Sequence, residues 1–489
     1  MRDPRPFISA KGATTTTGTN HENPRVLFIL GPTGTGKSSL AVSLAKRFNG
    51  EIINADAIQL YQGLPIITNK ISVEEQQGIP HHLLGVIGLE EEAWTVHRYV
   101  REARRVIGEV HERGRLPVVC GGTGYYSHAI LCGGALLAQE EKIDGGEEEE
   151  SSEAEVDGHA GGGIEEAKKR WPILAASSEE MHAALKRLDP DMADTWHPKD
   201  YRRVQRSLEI CLRTGRKVSE IYQEQKEADD TTLNYDPLLL WLQAEDGVLK
   251  ARLDARVHDM VKNGLFEEAL TLAQFEASQT ARGRAVDKTR GIWVSIGYKE
   301  TQNWTTAQLA RSDEPIETAK QSPLAQSCIE AVQAGTRQYA KRQERYIRVS
   351  FAKSLQRACS SERLFLLDGT DLSKFHSDLV PEAAQLTQAW LSDDALPDPS
   401  SLSSLAAETF AKVRGGSPQR SMRVKHFCEV CKRTLMTEHE WEVHMNGRGH
   451  KRAVAGRKKH EAALQYIEKR GRREASEVRV ESEGESIML

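Results

Sequence analysis

A glycine-rich turn near the N-terminus constrains the fold of this chain more than any other feature. The apolar run 26–30 is followed by GPTGTGKS at 31–38, which matches the phosphate-loop pattern G-x-x-x-x-G-K-[ST] at every position. Glycines let backbone N–H groups turn onto a phosphate, and the helix that follows adds its positive N-terminal end. The pattern therefore predicts a strand, a phosphate-binding loop and a helix, with a ligand that carries a diphosphate or triphosphate.

The polar residues of this loop have distinct predicted roles. Lys37 supplies a positive charge, and Ser38 offers a hydroxyl to a Mg²⁺ ion that bridges phosphate oxygens. The residues predicted to bind the phosphates are Thr33, Gly34, Thr35, Gly36, Lys37 and Ser38.

A carboxylate follows the next predicted strand, at 51–54. Ligands of open α/β sheets lie at the carboxyl ends of the strands, so Asp56 is expected near the phosphate loop. Asp is also a good N-cap residue. The residues alone leave two roles open for Asp56, a cap of the following turn and a functional carboxylate.

The strand predicted at 116–120 ends in a second glycine-rich turn, GGTG at 121–124. Its backbone donors and the Thr123 hydroxyl are expected to approach the same phosphates. The strand ends in Val-Val-Cys, whereas a P-loop ATPase has a carboxylate there to hold magnesium or orient water. ATP hydrolysis as the main activity is thereby disfavoured.

Charge is segregated along the chain, which indicates a polyanionic partner. Residues 140–157 hold ten acidic side chains in a Gly/Ser-rich stretch, whereas 423–473 hold fourteen basic and six acidic ones. Arg202, Arg206 and Arg213 share one face of a predicted helix, which is either solvated or contacts nucleic acid. Interleaved basic and aromatic residues at 291–300 and 336–343 suit a single-stranded nucleic-acid loop.

The C-terminal region carries a metal-binding pattern. Cys428 and Cys431 are followed after twelve residues by His444 and after five more by His450, a C-x₂-C…H-x₅-H spacing. Four protein ligands fill a tetrahedral site, so the pattern predicts a structural Zn²⁺. The remaining cysteines of the seven are scattered, which favours a reducing compartment over a disulfide framework.

Length and composition exclude several classes of protein. A chain of 489 residues with 39% hydrophobic and 28% charged residues suits two or three domains. No apolar run approaches the length of a membrane span, and no secretory signal region begins the chain. Residues 1–23 read either as a disordered tail or as a mitochondrial presequence.

Seven sequence blocks occur in one order between about residues 25 and 370: GPTGTGKS, NADAIQLYQGLPIITNK, IPHHLLG, GGTGYY, HPKDYRRVQRSLEI, GIWVSIGYKE and TRQYAKRQ. In these blocks the chain resembles the tRNA dimethylallyltransferases (tRNA isopentenyltransferases). Its C-terminal pattern resembles the matrin-type, U1-like C2H2 finger of the eukaryotic members. The resemblance implies transfer of the dimethylallyl group from dimethylallyl diphosphate to N6 of the adenosine 3′ adjacent to the anticodon of tRNA, which gives N6-isopentenyladenosine.

The resemblance implies a role for each predicted site residue. Asp56 would accept the N6 proton as the general base, while Thr123 and Arg256, with Mg²⁺, would stabilise charge on the leaving diphosphate. The family often has Ser on both sides of this base, where the chain has Ala55 and Ala57, so a neighbouring hydroxyl is lost but the carboxylate stays. The residues implied to contact the flipped base and its tRNA are Asp56, Ala57, Ile58, Gln59, Arg202, Arg203, Arg206, Ser295, Gly297, Tyr298 and Lys299.

The partners implied are the tRNA anticodon stem-loop and dimethylallyl diphosphate, with Mg²⁺ at the diphosphate and structural Zn²⁺ in the finger. We also expect a monomer without membrane association, located in the cytoplasm with mitochondrial and nuclear pools. Two other functions share some of these features. They are a P-loop kinase of a small molecule or nucleotide and a non-catalytic zinc-finger RNA-binding protein.

The expected fold is α/β, a P-loop parallel-sheet core with a helical insertion domain and a small C-terminal zinc finger. The predicted segments are a disordered tail at 1–24, the first part of the catalytic core at 25–135, a helical tRNA-binding insertion at 136–234 with an acidic disordered loop at 138–163, the second part of the core with a basic helix at 235–375, a linker at 376–420, the zinc finger at 421–460 and a charged tail at 461–489.

Overall fold

The computed structural model describes residues 23–132, 163–228, 233–284, 286–288, 290–310, 315–414, 426–431, 433–435 and 438–457. The chain divides into two compact units. The first comprises Met1–Gly134 and Thr231–Phe410, and the second comprises Ala135–Asp230 and Ala411–Leu489. The predicted tails at 1–24 and 461–489 and the acidic loop at 138–163 lie wholly or almost wholly outside the described residues.

A six-stranded parallel sheet forms the centre of the first unit. Its strands lie in the order β3-β2-β4-β1-β5-β6. Their bounds are β1 Arg25–Leu30, β2 Gly50–Asn54, β3 His81–His82, β4 Leu116–Cys120, β5 Asp236–Gln243 and β6 Leu364–Asp368. Because β4 lies between β1 and β2, the segments that follow these three strands meet at one edge of the sheet. The predicted α/β fold with a P-loop core is confirmed.

The inner strands form from short continuous apolar runs, because helices cover both faces of a parallel sheet. Every residue of β5 is buried, and every residue of β1 except Arg25. The edge strand β3 consists of two histidines and carries no such run, which is why the sequence does not predict it.

The helices are α1 Lys37–Arg47, α2 Val96–Glu112, α3 Gly124–Cys132, α4 Gly163–Arg170, α5 Ser178–Leu188, α6 Pro190–Thr195, α7 Tyr201–Thr214, α8 Val218–Ala228, α9 Asp246–Lys262, α10 Leu265–Ala281, α11 Gln302–Ala310, α12 Ile316–Ala319, α13 Pro323–Tyr346, α14 Ala352–Arg357, α15 Val380–Leu391, α16 Ser404–Arg414 and α17 Glu438–Asn446. Helices α1 and α15 pack on the sheet in one hydrophobic cluster. Among the described residues, no helix has both the length and the apolar character needed to cross a membrane.

The linker predicted at 376–420 is wrong for its described part, 376–414. Helix α15 packs on the sheet through Ala383, Leu386 and Trp390, and Phe410 of α16 lies against Trp241 of β5. The Ser/Pro/Asp/Ala-rich composition suggests a linker, but apolar residues recur at helical spacing within it. This segment therefore completes the core of the first unit.

The second unit contains helices α4 to α8 and the C-terminal region. The helices share a small apolar core that includes Met181, Leu185, Val204 and Leu208. Near the C-terminus, β7 His426–Cys428 and β8 Arg433–Leu435 form an antiparallel pair that is followed by α17. This ββα order is the one that a C2H2 finger adopts.

Candidate active site

The phosphate loop joins β1 to α1 and has the backbone that an anion site requires. Gly31, Gly34 and Gly36 have φ values of +138°, +82° and +91°, which residues with a Cβ rarely adopt. The N-cap residue of α1 is Gly36, which has no side chain to occupy the first N–H groups of the helix, so these groups can face an anion. Thr35 is buried and donates to the Pro32 carbonyl at 2.9 Å, so its side chain stabilises the loop.

Two cations lie at this loop. Nζ of Lys37 donates to the Pro32 carbonyl at 2.8 Å, and burial lowers the pKa of Lys37 to about 8, with Asp56 opposing and Arg256 adding to the effect. Nη1 of Arg256, on α9, donates to Thr33 Oγ1 at 2.9 Å. Burial also lowers the pKa of Arg256, while Asp56 opposes this change. Both groups carry positive charge at neutral pH, as a phosphate site requires.

Asp56 lies just beyond β2, at the same edge of the sheet. Its Oδ1 accepts the N–H of Ile58 at 3.0 Å, which is the capping role that the sequence left open. Its Oδ2 lies beside Gly122, where a Cβ would come within 2.8 Å of it. Burial raises the pKa of Asp56, and the N–H groups of Ile58 and Gly122 and the charge of Lys37 oppose this rise. A carboxylate with a raised pKa beside a cavity is a good proton acceptor, so both roles are compatible.

The second glycine turn has a different purpose from the phosphate loop. A Cβ on Gly121 would lie 2.1 Å from the carbonyl carbon of Ala55, so only glycine fits there. The Thr123 N–H donates to the Ala55 carbonyl at 3.1 Å, and Thr123 Oγ1 accepts the N–H of Ala57 at 3.1 Å. Thr123, which the sequence suggested as a phosphate contact, thus holds both neighbours of Asp56.

One cavity of about 810 Å³ connects these groups. This volume suits a small phosphorylated ligand together with a second reactant. The predicted residues that line the cavity are Thr33, Gly34, Gly36, Lys37, Ser38, Asp56, Ala57, Ile58, Gln59, Thr123, Arg256 and Ser295. The structure therefore brings together all three predicted catalytic residues and most of the phosphate loop.

Three predicted RNA contacts of the first unit are not among the residues that line this cavity. Tyr298 is 1% exposed and its hydroxyl donates to Glu276 Oε2 at 2.7 Å, so the side chain links its loop to α10. Gly297 has a φ of +105° and donates its N–H to Glu300, while Lys299 is exposed. Among these three, the Lys299 side chain is the one that an RNA can reach.

The predicted RNA-binding arginines lie on α7 in the second unit. Arg202 and Arg203 are exposed, and the Arg203 guanidinium lies 4.9 Å from the centre of the Trp196 ring. Arg206 donates to Oε2 of Glu209 at 3.1 Å, and Arg213 pairs with Oε1 of the same residue at 3.0 Å. Since Glu209 is only 3% exposed, Arg206 and Arg213 compensate a buried carboxylate and are not simply a solvated basic face.

The four predicted metal ligands converge in the second unit. One ligand atom each from Cys428, Cys431, His444 and His450 lies within 4.8 Å of the others. Nδ1 of His450 is 3.5 Å from both sulfurs and 3.2 Å from Nε2 of His444. The three distances from His450 Nδ1 are close to the edges of a tetrahedron with metal–ligand bonds of about 2.0–2.3 Å, and two Cys with two His is a common donor set for Zn²⁺.

The residues of the cavity wall that the sequence did not predict include Tyr339 and Gln343 of α13. The sequence reading of 336–343 concerned its basic and aromatic pattern, whereas the structure turns Tyr339 and Gln343 inward and pairs Arg337 with Asp254. Their spacing of four residues, which places both on one helix face, was the available signal.

Comparison with known proteins gives consistent results. The family model described as IPP transferase matches residues 59–350. The chain is 35% identical to the tRNA dimethylallyltransferase of Schizosaccharomyces pombe, over 90% of this chain and 96% of that protein. It is 32% identical to the enzyme of the same name from Saccharomyces cerevisiae, over 87% and 91% of the two chains. A solved structure of a eukaryotic dimethylallyltransferase acting on tRNA matches with a TM-score of 0.70 at 30% identity, over 91% of this chain and 99% of that chain.

Proposed function

The chain belongs to the IPP transferase family and is a tRNA dimethylallyltransferase, and from this premise we propose that its phosphate loop holds the diphosphate of dimethylallyl diphosphate while Asp56 activates the accepting base. The acceptor we propose is N6 of the adenosine 3′ adjacent to the anticodon.

One observation carries this assignment of roles. Lys37 and Asp56 line the same cavity and each shifts the pKa of the other toward the charged state. The cation that would stabilise the leaving group and the carboxylate that would accept the proton therefore line one cavity. Transfer of a group from a diphosphate to a nitrogen requires both.

The reaction forms a bond from N6 to C1 of the dimethylallyl group and breaks the bond from C1 to the diphosphate oxygen. Adenine N6 is a weak nucleophile because its lone pair is delocalised into the ring, so its proton must pass to a base as the bond forms. We assign that proton to the carboxylate of Asp56, which lines the cavity and keeps lone pairs that the N–H of Ile58 does not use.

The departing diphosphate gains negative charge, which the N-terminus of α1, Lys37 and Arg256 are placed to stabilise. Ser38 is exposed and lines the cavity at the first turn of α1, so its hydroxyl fits Mg²⁺, which would neutralise charge on the diphosphate oxygens. Cys120 also lines the cavity, but burial raises its pKa to about 12, so it stays a neutral thiol.

For the tRNA we propose contacts from two sources. Ala57, Ile58, Gln59 and Ser295 line the cavity and would surround the base after it leaves its stack. Arg202, Arg203 and Lys299 are exposed and would neutralise phosphates of the anticodon stem-loop. The Zn²⁺ held by Cys428, Cys431, His444 and His450 would order the finger. The proposal also includes the division of the chain into core, insertion and finger.

The deciding experiment incubates the purified protein with Mg²⁺, a tRNA transcript and either labelled dimethylallyl diphosphate or labelled ATP. We expect label from the prenyl donor in the tRNA, with N6-isopentenyladenosine found by nucleoside mass spectrometry. A transcript with guanosine at the target position should accept none. Phosphorylated product from ATP would instead indicate a kinase, and tRNA binding without transfer from either donor would indicate a non-catalytic RNA-binding protein.

The monomeric state and the cytoplasmic location with mitochondrial and nuclear pools belong to this proposal. Light scattering of the purified protein tests the first. Fractionation of cells that express the full chain tests the second.

A further inference from the structure

Gln343 occupies an unusual position between the two glycine loops. It lies on α13 and is 6% exposed. Its Oε1 accepts the N–H of Thr33 in the phosphate loop at 2.8 Å, and its Nε2 donates to the carbonyl of Gly122 in the second glycine turn at 2.7 Å. A single side chain of α13 thus links the phosphate loop, which would hold the leaving diphosphate, to the second glycine turn, which lies beside Asp56.

An amide satisfies both partners at any pH. The Thr33 N–H needs an acceptor and the Gly122 carbonyl needs a donor, and a carboxylate offers no donor while an apolar side chain offers neither. Both distances lie within the normal range for N–H···O bonds. The position therefore calls for an amide for a chemical reason and not only for its size.

The two bonds fix groups that act in the reaction. Thr33 is also held through its hydroxyl by Arg256, at 2.9 Å. A Cβ on Gly122 would lie 2.5 Å from Nε2 of Gln343 and 2.8 Å from Oδ2 of Asp56, so the amide, the turn and the carboxylate are packed around one point. Movement of Gln343 would change the separation between the cationic loop and Asp56.

Tyr339 and helix α9 hold the Gln343 amide in place. Tyr339 makes side-chain hydrogen bonds to Gln343 and Thr123, and burial raises its pKa, so it stays a neutral phenol. Earlier on the same helix, Arg337 pairs with Asp254 of α9, and Gln333 donates to the Asp254 carbonyl at 3.3 Å. Helix α13 is therefore fastened to α9, the helix that carries Arg256.

We propose that Gln343 is a positioning residue that holds the phosphate loop at a fixed distance from Asp56 and keeps water out of the gap between them. This inference rests on the proposed function. When the gap opens, a water oxygen attacks C1 of the donor, the water proton passes to Asp56, and the products are dimethylallyl alcohol and diphosphate. Because the Gln343 amide keeps water away from C1, attack by the RNA base is the reaction that takes place.

The test compares Gln343→Met with Gln326→Met, an exposed glutamine on the same helix that contacts Glu330. We measure kcat, KM for the donor, and the ratio of diphosphate released to dimethylallyl groups transferred. For Gln343→Met we expect kcat to fall about 100-fold, as misplacement of reacting groups by an ångström does, with a ratio that rises above one. Gln326→Met should match the wild type in kcat and in this ratio.

A ratio that stays at one in a folded Gln343→Met protein, verified by thermal denaturation, overturns the proposal. If Gln343→Met does not fold, Gln343→Glu provides the test of the proposal. At low pH the introduced carboxyl is protonated and donates to Gly122 again, so its activity relative to the wild type should rise as pH falls. A relative activity that does not change with pH overturns the proposal, whereas a wild-type protein that transfers nothing to tRNA contradicts the proposed function.

Discussion

The two glycine turns of the active site look alike in sequence and differ in what their glycines do. In the phosphate loop, Gly34 and Gly36 have φ values of +82° and +91°, so glycine is needed for its backbone conformation. In the second turn, a Cβ on Gly121 or Gly122 would meet other atoms at 2.1 and 2.5 Å, so glycine is needed for space. The first turn shapes a ligand site, and the second lets Asp56 approach it.

This difference separates two tasks that the reaction combines. Residues of the phosphate loop should affect donor binding, and its lysine should also affect kcat through the charge that develops on the departing diphosphate, whereas residues around the second turn should affect the rate of proton removal and bond formation. Variants on the two sides should therefore differ in whether the donor KM changes.

The largest effect is expected for Asp56→Asn, which keeps the size of the side chain but removes the base. We expect kcat to fall by about 10²- to 10⁴-fold with little change in donor KM, because the lost contribution is proton transfer. Asp246→Asn, at an exposed position in the first turn of α9, is the control. Single-turnover transfer to tRNA measures the effect, and near-normal turnover by Asp56→Asn would remove this residue from the mechanism.

A paired glycine experiment addresses the comparison directly. In Gly121→Ala the new Cβ meets the Ala55 backbone, which must move and carry Asp56 with it, so kcat should fall about 100-fold. In Gly34→Ala the nearest atom is the flexible Leu253 side chain at 2.7 Å, and the main cost is about 1–2 kcal/mol of strain from the positive φ.

For Gly34→Ala we therefore expect a lower melting temperature and a higher donor KM, with kcat close to that of the wild type. Steady-state kinetics and thermal denaturation of both variants provide the measurement. Equal changes in kcat would show that the two turns are not separate in function.

On the phosphate side, Lys37→Met should raise the donor KM about 10- to 100-fold, since a hydrogen bond from a charged group contributes about 1.5–3 kcal/mol. The control is Lys46→Met, an exposed lysine on the same helix that contacts Gln77. Donor titrations with saturating tRNA distinguish the two variants. An unchanged KM for Lys37→Met would place the diphosphate elsewhere.

The smallest effect is the pH dependence of kcat/KM for the donor, which follows the free enzyme. Asp56 must be ionised, so activity should fall as pH drops through its pKa, which burial raises above the ordinary value of 3.8. Lys37 must be charged, so activity should fall as pH rises through about 8. Bound diphosphate favours the charged lysine, so this alkaline limb should weaken in kcat. The alkaline limb should be absent in Lys37→Met. If the limb persists in this variant, it belongs to another titrating group.

The sequence was sufficient for features that depend on local patterns. Apolar runs located the strands predicted at 26–30, 51–54 and 116–120, and the phosphate-loop pattern located the first loop. The position of Asp56 after β2 placed it at the correct edge of the sheet, because the carboxyl ends of parallel strands lie at the same edge.

Features that depend on tertiary contacts could not be read in the same way. The arginines of α7 look like a binding face, but the burial of Glu209, which pairs with two of them, appears only after the helices pack. Tyr298 resembles a stacking residue, yet its ring lies inside the first unit. The role of Gln343 depends on two loops that are distant from it in sequence.

The chain leaves the first unit at the helical insertion and returns to it close to the same place. The Asn234 N–H donates to the Leu131 carbonyl at 2.9 Å, and the Asn234 side chain donates to the Ile130 carbonyl at 3.0 Å. The two ends of the segment between residues 132 and 233 are therefore held side by side. The length of this segment can therefore change without moving the strands of the first unit.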